Sequence, residues 1–99
     1  MYGGTQRYLR RILGPNVGID ISFEDFSDVA KFKKALRPST KMVWLETPTN
    51  PTLKIFDIRK LAEVCKAHGA LFIVDNTFMT PVNQNPLLLG ADVVTHSLT

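Results

Sequence analysis

Three polar clusters in this chain each follow a short apolar run. Glu46-Thr47-Pro48-Thr49-Asn50 follows Met42–Leu45, Asp75-Asn76-Thr77 follows Leu71–Val74, and His96-Ser97-Leu98-Thr99 follows the run Ala91–Thr95. In open parallel sheets, ligands gather just beyond the carboxyl ends of the strands. Runs that share such an edge would bring the carboxylates of Glu46 and Asp75 together with the hydroxyls of Ser97 and Thr99. Taken singly, each residue has a plainer reading. An acid at a strand end commonly caps a helix or anchors a loop. Ser97 and Thr99 suit an ordinary turn. Thr47–Pro51 on its own is a rigid loop, and Tyr2 an exposed aromatic.

Other reactive side chains point to structure. Cys65 lies on the apolar stripe of a helix, which places it in the core rather than at a site. His68 falls in the last turn of that helix, where a cation suits the dipole. Neither His68 nor His96 has cysteines or carboxylates at zinc-ligand spacing. Arg7, Arg10 and Arg11 share one helical face, as solvated groups or as a subunit contact. No glycine-rich phosphate loop of the dinucleotide or P-loop type is present.

The elements that must position these residues alternate in type. Tyr2-Gly3-Gly4 reads as a flexible lead into a helix over Thr5–Leu13, with Thr5 as its cap and Gly14-Pro15 as its end. Ile19–Phe23 alternates as a half-buried strand does. Ser27 or Asp28 caps a helix running to about Leu36, with Val29, Phe32, Lys33 and Leu36 along one side, and Arg37-Pro38 closes it. Met42–Leu45 is a buried strand. Two prolines, Pro48 and Pro51, exclude helix and central strand over Thr47–Pro51, which is a loop at the end of a strand. Asp57 caps a helix whose Ile58, Leu61, Ala62 and Cys65 follow the i, i+3, i+4, i+7 rule, with Gly69 as its stop. Leu71–Val74 and Ala91–Thr95 are further strands. Strands alternating with helices predict a parallel sheet with right-handed crossovers, an α/β fold.

The chain has 99 residues, 44% of them apolar and 21% charged, and a net charge of +3. That length makes at most one domain with a real core. The mild basicity comes without aromatics interleaved among the cations, so no nucleic-acid partner is expected. The single cysteine rules out an internal disulfide and fits a reducing compartment. No run approaches the roughly 20 apolar residues of a membrane span, and no signal peptide is visible. A cytoplasmic location is the expectation.

Four segments stand in order across essentially the whole chain: Tyr2-Gly3-Gly4-Thr5 with Arg7-Tyr8, Glu46-Thr47-Pro48-Thr49-Asn50-Pro51, Val74-Asp75-Asn76-Thr77-Phe78, and His96-Ser97-Leu98-Thr99. In order and spacing they resemble successive motifs of the cystathionine γ-lyase family of pyridoxal-phosphate (PLP) enzymes. Cystathionine γ-synthase, cystathionine β-lyase and methionine γ-lyase share most of them.

The resemblance implies an α/β fold. Residues 1–99 would form an incomplete, partial PLP-binding large domain of the PLP-transferase type (fold type I, aminotransferase-like). Its mostly parallel sheet would lack strands on both sides. By the same resemblance, Tyr2 stacks on the pyridine ring, Asn50 lies near the cofactor's phenolic oxygen, and Asp75 pairs with the pyridine nitrogen. Ser97 and Thr99 give hydroxyls to the phosphate. The Schiff-base lysine would follow Thr99, so no catalytic residue is assigned within the chain. A complete enzyme of this kind would cleave L-cystathionine to cysteine, 2-oxobutyrate and ammonia in trans-sulfuration. It would do so as a homotetramer whose sites borrow residues from a neighbouring subunit. The chain alone is expected to be inactive. Two other readings stand beside this one. One is a non-catalytic truncated isoform that docks on full-length subunits. The other is an unrelated small nucleotide-binding α/β domain, which has no phosphate motif in its favour.

Overall fold

The computed structural model describes residues 1–99. Met42–Glu46 (β1), Leu71–Asp75 (β2) and Val93–Thr95 (β3) form an all-parallel sheet in the order β1-β2-β3. Glu46 is the partner of Asp75, and Asp75 the partner of Thr95, so the three strand ends are level. The predicted polar edge therefore exists. The third strand begins two residues later than the sequence suggests. Asp92 is occupied otherwise: its N–H donates to the Phe72 carbonyl at 2.9 Å and its carboxylate accepts the Phe72 N–H at 2.8 Å.

Alternation divides the sheet into two faces. Val43, Leu45, Phe72 and Val74 join Ile58, Leu61, Ala62 and Cys65 of the helix Ile58–His68 (α4) in one core cluster. All four stripe positions of that helix are buried, as the apolar spacing predicts. Asp57 caps it by accepting the Lys60 N–H at 3.1 Å. Gly69 ends it in the left-handed conformation, φ 82°. The opposite face carries Met42, Trp44, Leu71, Ile73 and Val93, of which Met42, Leu71 and Val93 are exposed.

The shorter helix Val29–Ala35 (α3) is capped by Asp28, whose carboxylate accepts the Lys31 N–H at 3.1 Å. Ser27 instead donates to Asp25. Phe32 buries its ring beside Phe26, while Lys33 is exposed and off the packed side. No helix in the chain is long and apolar enough to cross a membrane.

The amino-terminal region departs from expectation. Its helix starts at Gly3 with Tyr2 as the capping position, not at Thr5, and runs on to Val17. It is α-helical over Gly3–Arg7 (α1), π-helical over Tyr8–Leu13, and α-helical again over Gly14–Val17 (α2). Gly14-Pro15 does not end it. A proline inside a helix donates no bond and crowds the carbonyl four residues back. Here the preceding turn is widened, and the Gly14 N–H reaches the Leu9 carbonyl five residues back, which makes room for the ring. Gly18, at φ 74°, ends the helix.

Ile19–Phe23 is not a strand. It pairs with no other segment, and its alternation serves packing on this helix. Ile21 approaches Gly14, and the Arg10 guanidinium lies 4.2 Å from the centre of the Phe23 ring. Arg10 thus has an aromatic partner within the chain, unlike a freely solvated cation.

Candidate functional site

Asp75 ends the central strand, half-buried at the level edge. Its Oδ1 accepts two bonds from Thr77, the N–H at 3.0 Å and the hydroxyl at 2.6 Å. This is the local turn that an Asp favours two residues before a partner N–H. Oδ2 has no hydrogen bond within the chain and remains open to a ligand. The Thr77 hydroxyl oxygen also accepts the Ser97 N–H at 2.9 Å. The Ser97 and Thr99 hydroxyls lie 2.7 Å apart, both exposed. One threonine thus joins the carboxylate on β2 to the hydroxyl-bearing turn after β3.

The other two expected residues are joined through Glu46. Its Oε2 accepts the Tyr2 N–H at 2.9 Å and its Oε1 the Asn50 N–H at 2.7 Å. The Met1 amine is a further 3.8 Å neighbour. The Tyr2 ring lies against Gly4, where an added Cβ would come within 2.8 Å of it, so a larger residue there would displace the ring. More than half of Tyr2 is exposed, leaving ring surface for a stacking partner. The Asn50 side-chain amide makes no hydrogen bond within the chain. Its loop is fixed by threonines: Thr47 accepts the Phe56 N–H at 3.1 Å, and Thr49 accepts the Lys54 N–H at 2.9 Å and meets Thr52 at 2.8 Å.

A buried polar layer supports the edge. Asn76 is fully buried and donates to the Gln84 carbonyl at 2.9 Å. Its Oδ1 accepts the Gln84 side-chain amide, also at 2.9 Å, and that amide reaches the Thr47 carbonyl at 3.2 Å. The Gln84 carbonyl fixes which end of the Asn76 amide faces it. The remaining Asn76 donor therefore points at His96 Nε2, 3.1 Å away, which makes Nε2 an acceptor and leaves the imidazole proton on Nδ1. Thr47, Asn76 and His96, one from each strand end, are locked together.

All five expected site residues thus lie along one edge, in two hydrogen-bonded groups: Asp75, Ser97 and Thr99, and Tyr2 with Asn50. Sequence reasoning did not assign Glu46, Thr77, Asn76 or Gln84 a role. The Asp-x-Thr spacing could have indicated Thr77. The position of Glu46 at a strand end is local, but nothing local indicates its bond to Tyr2, 44 residues away. Cys65 is in the core, its thiol pushed up to about 11 by burial and, second, by the charge of Asp92. It is no thiolate at neutral pH. A surface hollow of about 770 Å³ lies at the amino ends of the strands beside Lys41, Lys66 and Asp92, away from this edge.

The edge brings together an anchored carboxylate, paired hydroxyls, an open amide and an exposed aromatic side chain. The model of the Cys/Met metabolism PLP-dependent enzyme family matches residues 1–99, and the chain belongs to that family. A cystathionine gamma-lyase from Dictyostelium discoideum is 50% identical over 99 residues, covering all of this chain and 25% of that protein. A cystathionine beta-lyase from Coxiella burnetii is 46% identical over 99 residues, covering 26% of its length. The crystal structure of cystathionine gamma-lyase from Lactobacillus plantarum complexed with L-serine superposes with a TM-score of 0.94 at 45% identity. It covers 98% of this chain and 25% of that one. The chain spans about a quarter of the length of the curated relatives it matches.

The residues fit PLP. The open Oδ2 of Asp75 is an acceptor for a protonated ring nitrogen, and the exposed hydroxyl pair is a donor set for a phosphate. The uncovered Tyr2 face suits a flat heteroaromatic ring.

Proposed function

We propose that this chain is the cofactor-ring and phosphate-turn segment of a PLP-dependent carbon–sulfur lyase that cleaves L-cystathionine to cysteine, 2-oxobutyrate and ammonia. The observation that carries this reading is the Asp75 carboxylate, held on one oxygen by Thr77 and open on the other, beside the Ser97–Thr99 hydroxyl pair. PLP supplies an electron sink for the pair released at the substrate α-carbon. Asp75 keeps the proton on the ring nitrogen, Ser97 and Thr99 hold the phosphate, Tyr2 covers one ring face, and Asn50 stands at the phenolic oxygen. Thr77 orients Asp75. The close identity to a relative named for β-cleavage makes a neighbouring thioether reaction the second reading for the substrate.

None of the edge residues is a lysine, so the 99 residues alone contain no amine placed to join the cofactor or carry the α-proton. The isolated chain is therefore proposed to be inactive. The test is peptide mass spectrometry on the native source after borohydride reduction. A peptide that begins at Gly90, runs past Thr99 and carries reduced PLP on its next lysine supports the reading. A native chain ending at Thr99 would refute it in favour of a non-catalytic product that docks on full-length subunits.

A further inference from the structure

We propose that Glu46 is a positioning residue that fixes the ring-stacking aromatic relative to the loop bearing Asn50; this rests on the function proposed above. Glu46 is 8% exposed and stands beside Asp75 in the sheet register. The two acids are used differently. Both oxygens of Glu46 are taken by backbone N–H groups of the chain, Tyr2 on Oε2 and Asn50 on Oε1, whereas Asp75 keeps one oxygen open.

The geometry explains why one side chain sets this spacing. The loop after β1 is stapled internally by Thr47 and Thr49, so Asn50 moves with the end of β1 as one body. Tyr2 belongs to a different element, the first turn of the amino-terminal helix, and no side chain caps that turn. The Glu46 carboxylate is the only side chain that hydrogen-bonds Tyr2 to the strand edge. Two acceptor oxygens in one rigid plane hold two N–H groups at a set separation. A glutamine in its place would keep one acceptor but turn an NH2 group against the other N–H. An aspartate there would be one methylene too short to serve both. Both Glu46 oxygens are engaged by the Tyr2 and Asn50 N–H groups, and its effect passes through these two residues.

The test compares wild type, Glu46→Gln, Tyr2→Leu and the double variant in the complete PLP-loaded enzyme. Two readouts are taken together: amide hydrogen exchange at Tyr2 and Asn50, and the circular dichroism band of the bound cofactor, which reports ring orientation. Glu46→Gln should raise exchange at one or both amides about tenfold or more and change the cofactor band. It should change that band little further when Tyr2 is already replaced by leucine. Unchanged exchange overturns the inference. So does faster exchange with an unchanged cofactor band, which would make Glu46 a merely structural anchor. A wild type with no cofactor band overturns the proposed function and this inference with it.

Discussion

Replacing Asp75 by asparagine tests the centre of the proposed site with little disturbance to its frame. The Asp75→Asn side chain keeps an Oδ1 to accept the Thr77 N–H and hydroxyl, bonds now at 3.0 and 2.6 Å, so the turn and its link to Ser97 should survive. What changes is the open position, where the free carboxylate oxygen becomes an NH2 donor. A ring nitrogen facing a donor must accept and give up its proton. The loss is one charge-assisted hydrogen bond, about 1.5–3 kcal/mol. At about 1.4 kcal/mol per factor of ten, this weakens PLP binding roughly 10- to 150-fold. The assay is equilibrium binding of PLP to the cofactor-free enzyme at neutral pH, with thermal unfolding of the same preparation as control. Turnover should fall further than affinity, because an unprotonated ring is the poorer electron sink. An affinity within twofold of wild type, with an unchanged melting temperature, would refute the assignment of Asp75 to the ring nitrogen.

Three other outcomes are expected. Thr77→Val keeps the branched shape but removes the donor to Asp75 and the acceptor for the Ser97 N–H; it should lower stability by about 1–3 kcal/mol in chemical denaturation. Gly90→Ala places a Cβ 2.7 Å from that of Ala62 at φ 110°, so it should destabilise by more than about 1 kcal/mol; pairing it with Ala62→Gly should restore only the part due to the clash. The buried Cys65 thiol is raised from 9.0 to about 11, so the folded state holds its proton longer than the unfolded one. Its contribution to stability is complete below about pH 9 and is lost as the pH rises towards 11; urea midpoints across that window should fall more steeply for wild type than for Cys65→Ala.

The middle of the chain was the most legible. Between Met42 and Asp75 the apolar periods, the proline-bounded loop, the Asp57 cap and the Gly69 stop all agree on one local structure, and local agreement is what sequence patterns report. The amino-terminal quarter was harder for physical reasons. Pro15 signals a helix end unless the preceding turn widens, and nothing local announces that widening. The alternation of Ile21 and Phe23 is real packing, but against a helix, and alternation alone does not distinguish a helix partner from a strand partner. At the site, the residues facing the ligand edge were legible because their types and order match a family pattern. The residues holding them were not. Glu46 and the Thr47–Gln84–Asn76–His96 layer act across the fold, through partners 20 to 44 residues apart for Asn76–His96, Gln84–Thr47 and Glu46–Tyr2.

The strand order has a consequence for how the site comes into being. Because β1, β2 and β3 are neighbours in the order of synthesis, each of these strands can dock beside the one before it, and none of the three must be inserted between the other two. Of the three strand ends, Glu46 and its stapled loop emerge first, after Tyr2, and Asp75 next, with Thr77 already able to orient it. The second bond of Thr77 waits for Ser97. Of these three strand ends the Ser97–Thr99 turn is translated last, so a nascent chain can orient Asp75 before the link from Thr77 to Ser97 forms.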